Sequence, residues 1–218
     1  MDIKVNENTV IVFDLDDTLY NEINYLKSAY QNIAKQLEQN NWKPLFAYMF
    51  SLYRNQIDVF DKISSKYNVS KESLIKKYRE HTPEIKLFDG VMDKIIEIKK
   101  YKGKVAIVTD GRINTQMSKI KSLGLHEITD KIIISEATGY EKPNENNFKL
   151  IENHFKCDQY FYIADNLKKD FISPNFLGWK TIGLLDNGLN IHNNSYLYLN
   201  KKHMPSEFIS SFMEIQIK

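Results

Sequence analysis

The chain has 218 residues, and 42% of them are hydrophobic, so it is long and apolar enough to bury a sizeable core as one domain or one and a half. Its 30 basic and 28 acidic residues are interspersed and give a formal net charge of +2, which argues against nucleic-acid binding. The single cysteine, Cys157, excludes an internal disulfide and a cysteine-based zinc site, so we expect a cytoplasmic protein. No apolar run is long enough to span a membrane, and residues 1–10 lack a signal-peptide pattern.

Five short apolar runs rich in β-branched and aromatic residues predict strands. They lie at residues 9–15, 104–110, 131–135, 160–165 and 181–186. Because these runs lack polar alternation, they are typical of parallel strands buried on both faces. Helical patterns lie between them, as where Val91, Ile95 and Ile98 share one helix face before Gly103. This alternation predicts an α/β fold with a doubly wound, Rossmann-like parallel sheet.

One connection is too long for a simple crossover and is helical throughout. In its first segment the apolar residues between Leu26 and Leu37 share one helix face. We therefore predict that residues 21–86 form an α-helical cap domain, inserted into a catalytic core made of residues 1–20 and 87–218. Residues 42–53 are apolar nearly all round, which favours packing inside a small helical bundle over contact with a substrate.

The C-terminal segment carries no visible chemistry. The pattern of residues 194–218 predicts an edge strand followed by a short helix capped by Ser206. The five histidines show no metal-ligand spacing, and we expect them to lie away from the strand ends.

Acidic residues cluster where the predicted strands end. Asp14 and Asp16 end the first strand, whereas Asp165 ends the fourth and Asp170 follows shortly after. Doubly wound sheets bind ligands beyond the carboxyl ends of their strands, so these carboxylates should meet in one crevice. Their mutual repulsion requires a divalent cation, and hard oxygen ligands favour Mg²⁺. The sequence therefore predicts a magnesium site.

Cationic and donor groups near the same strand ends predict a phosphoryl-binding site. Lys142 lies in the loop before Pro143, and Thr109 ends the second strand. The backbone N–H groups of Asp110 and Gly111 follow Thr109 and precede a helix. Together with Mg²⁺, these groups match the three equatorial oxygens of a phosphoryl group.

Two of the carboxylates then have distinct chemical roles. Asp14 is the candidate nucleophile that forms an aspartyl phosphate. Asp16 points differently and is the candidate acid and base, which protonates the leaving alcohol and then deprotonates the attacking water. Asp17 and Thr18 are expected to fix the turn and cap the next segment through side-chain to backbone hydrogen bonds.

Four short motifs resemble, in order, those of the haloacid dehalogenase superfamily. The strings DLDDT, VTDG, EKP and ADNLKKD occupy residues 14–18, 108–111, 141–143 and 164–170. The helical insertion between the first two motifs is similar to the cap of this superfamily's largest group, and the resemblance extends over residues 9–186. It implies a Mg²⁺-dependent phosphoric monoester hydrolase whose cap closes over a small phosphorylated metabolite.

The resemblance also implies a role for each acidic residue. Asp14 would be nucleophile and metal ligand, and Asp16 would be acid and base with its main-chain carbonyl on the metal. Asp165 would be the third protein ligand of Mg²⁺. Asp170 would lie outside the ligands and hold Lys142 or a metal-bound water.

The remaining motif residues would bind the phosphoryl group. Thr109 would bind it directly, with the backbone of Asp110 and Gly111, and Lys142 would neutralise its charge beside Asp14. Two positions depart from the family pattern, since Ala164 stands where the family often has Gly and Asp110 where it often has Asn. A small side chain and a backbone N–H survive both changes.

Several alternatives remain open on sequence. A phosphomutase of the same superfamily uses the same nucleophile and acid, and a non-catalytic regulatory or binding protein can retain the fold. The presence of Asp16 disfavours a dehalogenase, because halide needs no protonation when it leaves. The substrate class is also open, since sugar phosphates, nucleotides and flavin mononucleotide all suit a cap of this size. The sequence does not identify a protein partner.

Overall fold

The computed structural model of the chain describes residues 1–218 and contains two β-sheets. The eight strands are β1 (Asp2–Ile3), β2 (Thr9–Phe13), β3 (Lys104–Thr109), β4 (Lys131–Ile134), β5 (Gln159–Ala164), β6 (Lys180–Leu184), β7 (Glu207–Ile209) and β8 (Gln216–Ile217). Six of them form one sheet in the order β4-β3-β2-β5-β6-β7, with every neighbouring pair parallel. The strands β1 and β8 pair in a separate parallel sheet.

Nine α-helices connect or cover these strands. They are α1 (Glu22–Leu37), α2 (Trp42–Arg54), α3 (Val59–Tyr67), α4 (Lys71–Arg79), α5 (Val91–Lys100), α6 (Ile113–Ser122), α7 (Ser135–Thr138), α8 (Asn146–Phe155) and α9 (Ile172–Phe176). None of these helices has the length and apolar character that a membrane crossing requires.

The strand order confirms the predicted doubly wound α/β fold. From β2 the chain builds outward through β3 and β4 on one side, and then through β5 and β6 on the other. The sheet therefore has its topological switch point between β2 and β5, where ligands bind in folds of this kind. The hydrogen bonding between β2 and β5 continues one residue past β2, because the N–H of Asp14 donates to the carbonyl of Ile163 at 2.9 Å.

Both faces of the sheet are buried, which explains the continuous apolar runs. Along β2, Ile11 and Phe13 pack into one hydrophobic cluster, and Val10 and Val12 pack into another on the opposite face. Successive side chains of a strand point to opposite faces, so a strand covered on both sides must be apolar at every position.

Helices α1 to α4 have a hydrophobic cluster of their own. Its ten buried members all lie on these four helices, and Met49 and Ile63 are fully enclosed within it. Leu45 and Leu52, on the same face of α2 as Met49, are also buried there, so the expected core packing of α2 is confirmed for this face. Tyr25 on α1 instead packs into a cluster of the sheet.

The prediction for the C-terminal segment was wrong. Residues Ser195–Tyr198 form a 3₁₀ helix, and the edge strand is β7, further along the chain. Phe212–Glu214 form a second 3₁₀ helix, and no α-helix follows Ser206. Ser206 instead lies against Thr181, whose Oγ1 accepts a hydrogen bond from the Ser206 N–H at 2.9 Å. Pairing with β6 decides where the edge strand lies, and local propensity does not reveal that pairing.

Adjacent isoleucines on α5 test the packing of the sheet. Ile95 is 1% exposed and belongs to the larger sheet cluster, whereas Ile96 is 57% exposed. We expect Ile95→Ala to lower the free energy of unfolding by about 2–5 kcal/mol, because it leaves a cavity in the core. Ile96→Ala, with the same change in helix propensity, should alter it by less than about 0.5 kcal/mol. Urea unfolding followed by circular dichroism measures both, and equal losses would contradict this packing.

Candidate active site

Three neighbouring strands bring the predicted residues to one edge of the sheet. Asp14 follows β2, Thr109 ends β3 and Asp165 follows β5. A cavity of about 200 Å³ opens there and has no hydrophobic residue in its lining. Asp14, Asp16 and Asp165 line this cavity, at the switch point of the sheet, whereas the fourth predicted carboxylate, Asp170, is fully buried and does not line it.

Lys142 is buried among the acidic residues of this edge. Its Nζ donates to Asp14 Oδ1 at 2.7 Å and to the hydroxyl of Tyr162 at 3.1 Å, and it lies 2.8 Å from Asp170 Oδ1. The lysine side chain is 1% exposed. A cation so deeply buried needs opposite charges around it, and here two carboxylates supply them.

This environment shifts the pKa values of both partners. Burial raises the pKa of Asp14 to about 7, although the charge of Lys142 acts in the opposite direction. Burial alone would lower the pKa of Lys142, but the charges of Asp14 and Asp170 outweigh it and raise that pKa well above its usual value. The lysine is therefore a permanent cation beside a carboxylate that is unusually basic.

Three carboxylates form a group that fits a metal ion. Asp14, Asp165 and Asp170 each offer an oxygen, and these oxygens lie within 4.8 Å of one another. Asp170 Oδ1 is buried and accepts no hydrogen bond, since its contact with Lys142 Nζ is an ion pair without hydrogen-bond geometry. Burial and then the charges of neighbouring carboxylates raise the pKa of Asp165 well above its usual value. Such a set suits a hard divalent cation.

Asp16 is held apart from that group by different partners. Its Oδ1 accepts hydrogen bonds from Lys119 Nζ at 2.7 Å and from the hydroxyl of Tyr20, and its Oδ2 accepts one from Gln116 Nε2 at 2.8 Å. Burial raises the pKa of Asp16, but the charge and hydrogen bond of Lys119 outweigh burial, and the net pKa is lowered. Asp14 and Asp16, two positions apart, thus face separate lysines.

The second predicted motif is only partly in the cavity. Thr109 and Asp110 line it, and Thr109 Oγ1 accepts a hydrogen bond from Gln116 Nε2 at 2.6 Å. Gly111 does not line the cavity, and its N–H donates to Ser135 Oγ at 2.9 Å. Gly111 has φ of +137°, and a Cβ at this position would lie 3.1 Å from Gln116 Cδ. Glycine therefore lets Gln116 approach the backbone.

The loop after β6 folds back over the strand ends. Asn190 Nδ2 donates to Asp165 Oδ2 at 2.8 Å, and the Ile191 N–H donates to Asp17 Oδ2 at 2.7 Å. His192 of this loop lines the cavity, so the expectation that every histidine lies away from the strand ends was wrong. These contacts join residues far apart in sequence, and no local pattern reveals them.

The expectation for the turn after β2 is confirmed at one of its two residues. Asp17 Oδ1 accepts a hydrogen bond from the Glu22 N–H at 2.7 Å, across the turn that leads into α1. Thr18 instead contacts a side chain, because its hydroxyl donates to Asp165 Oδ1 at 3.3 Å.

The polar residues of this site that sequence reasoning missed include Gln116, Lys119, Glu22, Lys169 and His192. A signal was present for the first two. Gln116 and Lys119 lie three residues apart, share the buried face of α6 with Ile120, and are unusual there because that face should be apolar. Lys169 precedes Asp170 in the fourth motif, but a single lysine among many gives no such signal.

Comparison with known proteins agrees with the motifs. A sequence model described as haloacid dehalogenase-like hydrolase matches residues 11–184. The chain is 25% identical over 191 residues to a glyceraldehyde 3-phosphate phosphatase from Methanocaldococcus jannaschii, and the alignment covers 80% of this chain and 84% of that protein.

Two solved structures share the fold. A Thermotoga maritima protein named for β-phosphoglucomutase has a TM-score of 0.66 at 16% identity, over 92% of this chain and 94% of the other. The Bacillus subtilis protein YfnB, bound to magnesium, has a TM-score of 0.62 at 21% identity, over 94% of this chain and 96% of the other. Both likenesses confirm the predicted fold class.

Two lysines of α6 test the ion pair at Asp16. Lys119 is buried and is the only ion-pair partner of Asp16, whereas Lys121 is exposed on the same helix. We expect Lys119→Met to lower the free energy of unfolding by about 3 kcal/mol, since it leaves a partly buried carboxylate unpaired. Lys121→Met should change it by less than about 0.5 kcal/mol. Urea unfolding at neutral pH measures both, and similar stabilities of the two variants would refute the assigned ion pair.

Proposed function

Because the chain belongs to the haloacid dehalogenase-like hydrolase family, we propose that it is a Mg²⁺-dependent phosphatase that hydrolyses a small phosphate monoester through an aspartyl phosphate. The match over residues 11–184 confirms the family predicted from the four motifs, and with it the prediction of a hydrolase. The observation that carries the proposal is the buried contact between Asp14 and Lys142, within the group of three carboxylates.

Asp14, Asp165 and Asp170 are the side chains proposed to hold Mg²⁺. This differs from the sequence-based proposal in one respect, because Asp170 joins the ligands as well as contacting Lys142. Asp16 would contribute only its main-chain carbonyl, as the resemblance implied. Bound Mg²⁺ would offset the negative charge of the carboxylates and of the phosphoryl group.

Asp14 is proposed to attack the phosphorus atom. Lys142 binds only one oxygen of Asp14, which leaves the other free for attack. A bond forms from that oxygen to phosphorus while the ester bond to the leaving alcohol breaks. Lys142 stays beside the acyl phosphate and neutralises part of its charge, and Thr109 supplies a hydroxyl at the end of the neighbouring strand.

Asp16 is proposed to move the protons. The first half of the reaction needs the protonated form of Asp16, which its lowered pKa in this structure disfavours, and its proton passes to the leaving oxygen. In the second half the Asp16 carboxylate takes a proton from the water that attacks the aspartyl phosphate, which restores both aspartates. Lys119, Gln116 and Tyr20 fix the orientation of Asp16 for both steps through the hydrogen bonds described above.

Residues 21–86 are proposed to form the cap over this site. Helices α1 to α4 share their own hydrophobic cluster, and Glu22 at the start of α1 lines the cavity. Closure of such a unit over the strand ends would exclude water until the substrate is bound.

The cavity favours a short sugar phosphate as substrate. Its volume is about 200 Å³ and its lining is entirely polar, whereas sites for larger ring-containing ligands are larger and mostly apolar. The relative from Methanocaldococcus jannaschii is a glyceraldehyde 3-phosphate phosphatase, which supports a substrate of this size.

Phosphate release tests the reaction and its nucleophile. With Mg²⁺ present, we expect turnover of p-nitrophenyl phosphate or of small sugar phosphates, and loss of more than about 1,000-fold in kcat for Asp14→Asn, since an amide cannot form the aspartyl phosphate. Asp158→Asn, an exposed change just before β5, is the matched control and should retain full activity. A chelator should abolish turnover, and readdition of Mg²⁺ should restore it.

Two results would contradict this proposal. Undiminished turnover by Asp14→Asn would refute Asp14 as the nucleophile. If a folded chain that binds Mg²⁺ released phosphate from no ester, the phosphatase function would be refuted. Transfer of phosphate between positions of a sugar, with a retained bisphosphate, would identify a mutase instead.

A substrate panel tests the size limit of the cavity. We expect kcat/KM for three- to five-carbon sugar phosphates to exceed that for adenosine monophosphate and flavin mononucleotide by at least about tenfold, because a nucleobase or flavin ring finds no apolar surface in the cavity. Equal kcat/KM values for these classes would refute a cavity that selects by size.

A further inference from the structure

Lys169 is a second lysine at the site, and it differs from Lys142 in its access to the cavity. Its Nζ donates to Asp110 Oδ2 at 2.6 Å, and the side chain lines the cavity and is 30% exposed. The Lys142 side chain, by contrast, is buried and pairs with Asp14 and Asp170. Lys169 therefore supplies a cation at the surface that a ligand would touch.

The charge of the cavity wall shows why such a cation matters. Six acidic residues line it, namely Asp14, Asp16, Asp17, Glu22, Asp110 and Asp165. Lys169 is the only lysine or arginine in the same lining. A doubly charged phosphoryl group entering this acidic cavity meets strong repulsion, and one reachable lysine reduces it at short range.

Asp110 holds Lys169 in place but occupies only one of the N–H donors of the lysine ammonium group. One oxygen of Asp110 accepts the backbone N–H of Lys142 at 3.1 Å, so the carboxylate is anchored next to Thr109. Its other oxygen accepts the single hydrogen bond that Lys169 Nζ makes. An ammonium group has three N–H donors, so two remain for a ligand.

We propose that Lys169 is a second residue that binds the substrate's phosphoryl group, and that Asp110 is the positioning residue that aims it. The inference rests on the proposed phosphatase function and deepens it. On substrate binding, Lys169 Nζ donates to a phosphoryl oxygen while it keeps its contact with Asp110. Asp110 thus places a cation beside the phosphoryl site through its side chain, in addition to any role of its backbone.

Neighbouring lysines provide a matched test. Lys168 is exposed, adjacent in sequence and identical in charge, so Lys168→Met controls for the general loss of a cation near the site. Inorganic phosphate is the probe, and its affinity is measured by calorimetry with Mg²⁺ present for the native chain, Lys169→Met and Lys168→Met. KM and kcat for the best substrate are measured in parallel, and thermal unfolding checks that each variant is folded.

We expect Lys169→Met to weaken phosphate binding and to raise KM by about tenfold or more, the size typical of a lost charged hydrogen bond. Lys168→Met should stay within about twofold of the native chain. Lys169→Arg, which keeps the charge, should recover most of the affinity and serves if the methionine variant does not fold. Equal phosphate affinities for the Lys169→Met and Lys168→Met variants would overturn the proposal. If the native chain hydrolyses no ester, the phosphatase function fails, and phosphate affinity still decides whether Lys169 binds the anion.

The role of Asp110 is tested by a double-mutant cycle. The factor by which Asp110→Asn changes phosphate affinity is measured once in the native chain and once in the Lys169→Met chain. If Asp110 acts through Lys169, these two factors should differ by more than about threefold. The same factor in both backgrounds would overturn its positioning role.

Discussion

The buried ammonium group of Lys142 is the interaction on which the site depends. Asp14 and Asp170 both lie within ion-pair distance of it, although they come from different strand ends. Without this cation, three carboxylates whose oxygens lie within 4.8 Å would face one another in a buried space. Such a cluster needs opposite charge, which the lysine supplies on one side and the proposed Mg²⁺ would supply on the other.

The parallel sheet makes this concentration of charge possible. Because β2 lies between β3 and β5, the three loops that leave their carboxyl ends must share one crevice. Apolar clusters on both faces hold the strands rigid, so the polar side chains at their ends keep fixed positions. The loop after β6 then reaches back to Asp165 and Asp17 and closes the rim of the crevice.

Sequence predicted the framework and the strand-end residues, since both follow from local patterns. Continuous apolar runs indicate strands covered on both faces, and Asp14, Thr109 and Asp165 come at the ends of such runs. Residues whose roles depend on tertiary contact were missed, as with His192, which arrives on a returning loop, and Lys169, which matters only because Asp110 lies opposite. The prediction of the C-terminal strand failed for the same reason, because the position of β7 is set by its pairing with β6.

Each of three aspartates at the strand ends pairs with a different lysine, and the three pairs differ in burial and in hydrogen bonding. Asp14 pairs with Lys142 in the most buried of the three positions. There the effect of burial outweighs the charge of the lysine and raises the pKa of Asp14 to about 7. Asp16 pairs with Lys119, and the charge and hydrogen bond of this lysine, with further hydrogen bonds, outweigh burial and lower the pKa of Asp16. The two carboxylates, only two positions apart, therefore have pKa values shifted in opposite directions. Asp110 pairs with Lys169, the most exposed of the three lysines. Lys169 is therefore the lysine that an incoming anion can contact most readily.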